Sequence, residues 1–160
     1  MGFDWATWWR GFFGIPPDRD RVVLEILRQR YVDERQGESQ LTQHADKMHY
    51  PQFCEKLLHF ATDKSKHAAW IAEKIATLAV KLPEVPVRRS MDENSWQYLQ
   101  LDLAEEIRCA DRLPEQMWRL EPDHPDISNF LQRIAEAEKQ HLQAINDMLM
   151  RSDGFALSLA

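Results

Sequence analysis

Ionisable side chains interrupt the apolar helical pattern of this sequence in four separate segments, and their chemistry is the first clue to function. These side chains are Glu34 and Glu38, Lys64 and His67, Glu106, and Glu138 with His141. Burying a charge costs on the order of several kcal/mol unless the charge is paired or bound to a metal ion. Four such breaks therefore indicate a shared purpose, either a metal site or a buried ion-pair network.

Glu138 and His141 have the spacing of two ligands for one metal ion. Residues at i and i+3 project from the same face of a helix, so this carboxylate and this imidazole can converge. Such oxygen and imidazole ligands suit iron or manganese, and zinc also fits. Lys64 and His67 have the same spacing, but a protonated lysine has no lone pair with which to bind a metal ion.

Five helical segments must position these residues, and no strand-like alternation lies between them. A short segment runs from Asp4 to about Phe13. Asp18 and Asp126 are the expected N-caps of the first and fourth long helices. All four long segments carry an apolar stripe at helical spacing, which is typical of a left-handed bundle. Their expected ranges are 18–48, 51–82, 92–120 and 126–151.

The fold class that we predict is all-α, an antiparallel four-helix bundle with a long crossover between the second and third long helices. Proline-stiffened residues 82–87 begin that crossover. A short aromatic N-terminal helix is expected in addition to the bundle. The expected domain organisation is an aromatic N-terminal helix or flap, the bundle and a flexible tail, at residues 1–17, 18–151 and 152–160.

Simple hairpin geometry brings the ionisable residues to a common depth. Each helical residue rises about 1.5 Å, so residues equidistant from a turn lie level in an antiparallel hairpin. Reflecting Glu34 through the first turn lands between Lys64 and His67. The second hairpin has the same arrangement, with one glutamate opposite an i, i+3 pair. Its residues are Glu106, Glu138 and His141.

The sequence resembles the rubrerythrin-like branch of the ferritin-like superfamily over about residues 22–153. The resemblance rests on Glu34, on KSKHAAWI beginning at Lys64, on DLAEE ending at Glu106 and on EKQH at 138–141. It implies two metal ions held by Glu, ExxH, Glu and ExxH from the four helices, and chemistry with peroxide, O₂ or Fe(II). Matched position by position, the metal ligands that it implies are Glu34, His67, Glu106, Glu138 and His141.

Lys64 departs from the family pattern because it stands where the second helix should supply the glutamate of ExxH. Three carboxylates and one ammonium carry a charge of about −2, which one divalent ion would balance. We therefore expect one ion, or an empty site held by a salt bridge between Lys64 and a carboxylate, in preference to two irons. Asp63 or Glu38 could replace the missing carboxylate.

Three functions are weighed on this sequence, of which iron storage by a shell of subunits ranks last. The first is an oxidoreductase with iron as cofactor, in one or two ions, acting on O₂, peroxide or Fe(II). Lys64 would donate a hydrogen bond to bound oxygen, and Tyr31, one turn before Glu34, could relay electrons or stabilise peroxide. No Cys₄ module is present, so an external electron donor is expected. The second is a degenerate metal-free scaffold that binds a protein partner or a membrane surface.

Composition and charge limit the possible partners and the expected location of the protein. The net charge is −6 and no basic run is present, which argues against nucleic acid. Without a CxxC motif or an apolar run of about 18 residues, we expect two reduced thiols at Cys54 and Cys109, no membrane span and a cytoplasmic protein. A homodimer is expected, since two-fold assembly is common.

Two groups of side chains are assigned non-catalytic roles. The aromatic stripe is expected to form a flap or partner contact, and membrane contact through it is not favoured because its polar face is hardly basic. Its residues are Trp5, Trp8, Trp9, Phe12 and Phe13. The remaining histidines fall off the stripes or in turns and are expected at the surface. They are His44, His49, His59 and His124.

Overall fold

A computed structural model describes residues 18–91 and 93–152. The predicted N-terminal aromatic helix and most of the predicted tail lie outside these residues. Within the two described ranges the regular structure consists of helices, with no strand. No helix in these ranges is long and apolar enough to cross a membrane.

The described residues form five helices arranged as a four-helix bundle, which confirms the predicted all-α fold class. Their bounds are α1 Asp18–Lys47, α2 Pro51–Thr77, α3 Ser95–Ala110, α4 Leu113–Leu120 and α5 Pro125–Arg151. The long helix α1 packs mainly against α2, while α3 and α4 together form one arm that packs against α5. Because only three residues join α1 to α2, the two form a tight hairpin.

The third long helix is interrupted, contrary to the single helix predicted over 92–120. The regular helix is interrupted by a turn at Asp111 and Arg112, although both residues keep αR backbone angles, and it resumes at Leu113. Pro114 explains the break, because proline has no N–H and its ring clashes with the carbonyl four residues earlier, that of Ala110. A proline is tolerated in the first turn of a helix, and Pro114 accordingly stands at the start of α4.

The second long helix ends five residues earlier than predicted, so the crossover is longer than expected. Ala79 has a φ of 56°, a left-handed conformation that ends the helical path after Thr77. From there the chain runs along α1 without regular structure. Gln36 donates a hydrogen bond to the Pro86 carbonyl at 3.3 Å, and Gln43 accepts one from the Ser90 amide at 3.1 Å.

The starts of α3 and α5 also differ from prediction. Asn94 caps α3 through a reciprocal capping box with Gln97, two residues beyond the predicted start. His124, not Asp126, occupies the N-cap position of α5 and makes no side-chain cap. Asp126 lies in the first turn, where its carboxylate instead pairs with Lys74 of α2 at 3.0 Å.

Two apolar clusters fill the bundle, one toward each end. The first lies around Leu27 of α1, Ile71 of α2 and Leu131 of α5. The second lies around Leu57 of α2 and Ile145 of α5. Between these clusters every long arm of the bundle contributes buried ionisable residues. The fold therefore holds a charged layer at mid-height, shielded from water above and below.

Candidate metal centre

The charged layer at mid-height, called the central layer below, contains every residue that the resemblance suggested as a metal ligand. Its members are Arg30, Glu34, Lys64, His67, Glu106, Glu138 and His141. Arg30, Glu34 and Glu138 are 0% exposed, and only His67 reaches the edge, with 16% of its side chain exposed. Each glutamate lies in one layer with the i, i+3 pair of its own hairpin, as the hairpin geometry predicted, and contacts of Lys64 and His141 join the two hairpins.

Lys64 extends across the bundle to carboxylates of the opposite hairpin. Its Nζ lies 2.9 Å from Glu106 Oε1 and 3.7 Å from Glu138 Oε1. Burial alone would lower the pKa of Lys64, but the attraction of Glu34, Glu106 and Glu138 raises the pKa above its ordinary value. Lys64 is therefore a protonated cation in the middle of the layer.

Arg30 is a second buried cation, which the sequence reasoning missed. Its Nε donates to Gln116 Oε1 at 2.6 Å and its Nη2 donates to the Cys109 carbonyl. Its Nη1 lies 3.5 Å from Glu138 Oε1. The available signal was its position four residues before Glu34, which puts both side chains on one face of α1.

The two histidines of the layer have different partners. His67 Nδ1 lies 3.2 Å from Glu34 Oε2, within its own hairpin. His141 Nε2 lies 3.4 Å from Asp63 Oδ2, and its Nδ1 lies 3.6 Å from Glu106 Oε2, beyond a normal hydrogen bond. Each imidazole is therefore held beside a carboxylate.

Aromatic rings hold both imidazoles from the facing helix. Phe60 of α2 stacks on His141 with ring centroids 4.3 Å apart. Phe130 of α5 meets His67 edge-on at 6.1 Å and stacks on Trp70 at 3.5 Å. Such contacts limit how far either imidazole can turn.

The pKa values of the two glutamates nearest Lys64 are shifted in opposite directions. Burial raises the pKa of Glu138 to about 7, and Lys64 and Arg30 offset this only in part. Burial also acts to raise the pKa of Glu106, but Lys64 and His141 outweigh it, so this pKa lies below its usual value. Glu106 is thus the firmer ion-pair partner of Lys64, in line with the shorter distance.

Gly37 of α1 lies directly against the Lys64 side chain. A Cβ at this position would lie 2.6 Å from Lys64 Cδ and 2.9 Å from Lys64 Cε. Real Cβ atoms do not approach other atoms so closely, so any side chain here would push Lys64 aside. The sequence reasoning did not use this mid-helix glycine, although glycine inside a helix is a signal in its own right.

The remaining predicted participants lie at the margin of the central layer or outside it. Tyr31 is half-buried, packs against the first apolar cluster and lines a groove beside the crossover, so its catalytic role stays a prediction. Glu38 is half-buried and forms an ion pair with Arg35. Asp63 lies at the edge of the layer, where its carboxylate contacts His141.

A second buried polar cluster corrects the expectation that His44 is a surface residue. His44 is 2% exposed, and its Nδ1 lies 2.7 Å from Asp102 Oδ1. Gln40 donates to the same oxygen at 2.8 Å, and Tyr98 packs on the imidazole at 4.5 Å. Burial raises the pKa of Asp102, and the His44 hydrogen bond offsets part of that rise.

Both cysteines are free thiols, as predicted. Cys109 is buried beside the layer, and burial raises the pKa of its thiol to about 12. Cys54 is partly exposed at the edge of the second apolar cluster. Since the thiolate is the reactive form, burial disfavours the reactive form of Cys109.

The donor set fits one metal ion better than two. Four ligand-type atoms in the layer lack a hydrogen-bond partner among the described residues: Glu34 Oε1, Glu106 Oε2, Glu138 Oε2 and His141 Nδ1. Two ions would have to displace Lys64, whose ammonium lies between Glu106 and Glu138. One ion could use the orphaned atoms, but only after rearrangement. Within residues 18–91 and 93–152, no three His, Cys, Asp or Glu side chains are grouped to hold an ion as they stand.

Comparison with known proteins yields a fold and not a family. No family profile matches the sequence, and no curated protein matches it. Among solved structures, the chain is similar to a ferritin-like, diiron-carboxylate protein from Bacillus anthracis str. Ames, with a TM-score of 0.72 and 18% sequence identity. The match covers 84% of this chain and 99% of that chain. The chain therefore has the ferritin-like fold.

Proposed function

We propose that this protein binds one divalent metal ion in its central layer, with iron as the first candidate and manganese or zinc as alternatives. The observation that carries the proposal is the group of orphaned carboxylate and imidazole atoms. Leaving a buried polar atom unsatisfied costs about 1–3 kcal/mol, so four such atoms in one layer favour a cation there. The diiron-carboxylate description of the structural neighbour adds support.

The proposed ligands are those of the rubrerythrin-like pattern, Glu34, His67, Glu106, Glu138 and His141. Iron bound there would supply electron transfer to O₂ or peroxide, or accept electrons from Fe(II), which makes the protein an oxidoreductase. Lys64 would donate hydrogen bonds to an anionic oxygen species that enters beside the partly exposed His67. Electrons would come from an external donor, and we propose a homodimer.

The second candidate function is a metal-free scaffold, and the internal cations favour it. Lys64 and Arg30 already contact the carboxylates that an ion would need. An exposed aromatic side chain, Trp118 at 75% exposure, lies on the outer surface where a protein partner could bind. In this reading the central layer only fixes the packing of the bundle.

Metal analysis of protein prepared without chelator separates the two candidates. We expect about one equivalent of iron, manganese or zinc, falling several-fold in Glu34→Gln and His141→Ala because each loses a ligand. Glu38→Gln is the matched control, since Glu38 lies on the same helix but pairs with Arg35 outside the layer. Less than about one tenth of an equivalent in the wild-type protein would exclude the metal proposal.

Activity provides the second test. Iron-loaded protein should consume peroxide or O₂ in the presence of a reductant faster than an equal amount of free iron. Glu34→Gln should lose most of that rate, whereas Glu38→Gln should keep it. Loaded protein with no rate above free iron would contradict the oxidoreductase assignment and leave metal binding as a structural property.

A further inference from the structure

Gly37 is an unusual residue for its place in the fold. It lies in the middle of α1, a helix of 30 residues. Glycine inside a helix is about 1 kcal/mol less favourable than alanine, because it has more conformational freedom to lose. Gly37 is also buried, so solvent exposure does not explain it.

The Lys64 side chain occupies the space that a residue other than glycine would fill. A Cβ on Gly37 would lie within 3 Å of two Lys64 carbons and 3.5 Å from Nζ. Lys64 cannot simply swing away into water, because it is 1% exposed and its Nζ is held by Glu106. The missing side chain at residue 37 therefore creates the path by which Lys64 reaches the opposite hairpin.

The position of Nζ is where a cation is needed. It lies within 4 Å of oxygen atoms from two helices, Glu106 of α3 and Glu138 of α5. Arg30 lies 3.5 Å from Glu138, whereas Glu34 contacts His67 of its own hairpin at 3.2 Å. The chain therefore supplies positive charge to one side of the layer and leaves room for added charge on the other.

We propose that Gly37 and Lys64 are a matched pair that supplies one cation of the central layer from within the chain. The pair allows the bundle to fold without metal and limits the layer to one added ion instead of two. Gly37 is a positioning residue for Lys64. Only the number of ions rests on the proposed function; the coupling between the two residues does not.

A double-variant comparison in the presence of chelator tests the coupling. Gly37→Ala is made in the wild-type protein and in the variant Lys64→Ala/Glu106→Gln, which keeps the net charge of the layer. We expect Gly37→Ala to lower the Tm by about 4 °C in the wild type, because Lys64 is displaced. In the Lys64→Ala background the same change should raise the Tm by about 2–4 °C through helix propensity.

Shifts of the same sign in both backgrounds would overturn the matched pair. If the Lys64→Ala variant does not fold, the Tm shift of Gly37→Ala in the wild-type background still tests the proposal. There, the Tm difference between Arg28→Ala and Arg28→Gly, at an exposed position of α1, measures the helix propensity of alanine over glycine, and the Tm shift of Gly37→Ala must fall clearly below it. A Gly37→Ala protein more stable than the wild type would refute the pair.

Ion counting tests the second half of the proposal. Wild-type and Lys64→Glu proteins are purified with Mn²⁺ present, desalted and analysed for manganese. We expect about one equivalent in the wild type and about two in Lys64→Glu, where a carboxylate replaces the internal cation. Lys66→Glu is the control, because it makes the same charge change on a residue whose side chain is 70% exposed.

The outcomes separate this proposal from the proposed function. An ion-free wild type with a loaded Lys64→Glu variant would contradict metal binding by the natural protein but support the role of Lys64. A Lys64→Glu variant that holds no more manganese than the wild type would overturn that role, whatever the wild type binds. Equal gains in Lys66→Glu would also overturn it.

Discussion

The two halves of the central layer are built to one plan but carry different charge. In the α1–α2 half, Glu34 faces Lys64 and His67; in the α3–α5 half, Glu106 faces a pair with the same i, i+3 spacing, Glu138 and His141. The first position of the pair is a lysine in α2 and a glutamate in α5. This one difference reverses the sign of the charge that the residue adds to the layer.

That difference shows how two hairpins can be joined without an ion. Both buried cations of the layer, Arg30 and Lys64, come from the α1–α2 half and reach carboxylates of the other half. The α3–α5 half contributes Glu106 and Glu138, so opposite charges face each other across the bundle. A helix pair with the wrong rotation would leave these charges buried and unpaired, which is strongly unfavourable.

The largest expected effect comes from neutralising Lys64, and neutralising Glu138 is the comparison. These two residues occupy the first position of the i, i+3 pair in the two halves. In chelator, Lys64→Gln should lower the free energy of unfolding by about 3–5 kcal/mol, because three glutamates lose their central cation. Glu138→Gln should cost less than about 1 kcal/mol, since Lys64 keeps Glu106 as its closer partner. Urea denaturation measures both, and equal losses would mean that the halves do not differ as described.

Arg30→Met tests the second cation that crosses between the halves. We expect a loss of about 2–4 kcal/mol, because Gln116, the Cys109 carbonyl and Glu138 all lose a buried donor. Arg35→Met, on the same helix but in an exposed ion pair with Glu38, should change stability by less than about 0.5 kcal/mol. Comparable losses in the two variants would show that the buried contacts of Arg30 add little.

The aromatic supports of the two histidines allow a finer comparison. Phe60→Leu removes the ring stacked on the buried His141 and should cost about 1–1.5 kcal/mol. Phe130→Leu removes an edge contact to the more exposed His67 and a stacked contact to Trp70, and about 0.5–1 kcal/mol is expected. Thermal unfolding in chelator gives both values, and the reverse order would contradict this ranking.

Asp63→Asn should have the smallest effect. Asp63 links α2 to His141 of the opposite half, but its carboxylate is 26% exposed and the distance is 3.4 Å. Partly solvated pairs contribute little, so we expect a change below about 0.5 kcal/mol in urea denaturation. A loss above about 1.5 kcal/mol would give Asp63 a place in the central layer that its exposure does not suggest.

Much of the site could be read from helix periodicity alone. The 3.6-residue period and the turn positions predicted that each hairpin places its glutamate, Glu34 or Glu106, level with its own i, i+3 pair, because rise per residue is a constant of the helix. The break at Pro114 was also readable, since it follows from proline chemistry. The later start of α3 was readable too, because Asn94 and Gln97 have the i, i+3 spacing of a capping box.

What the periodicity could not reveal is which side chains meet across the bundle. Arg30, Gly37 and the His44–Asp102 pair acquire their roles from neighbours 27 or more residues away in sequence, such as Lys64. Spacing along one helix determines which face a residue occupies. The rotation and separation of the packed helices determine which partner that face meets, and packing of the whole core decides both.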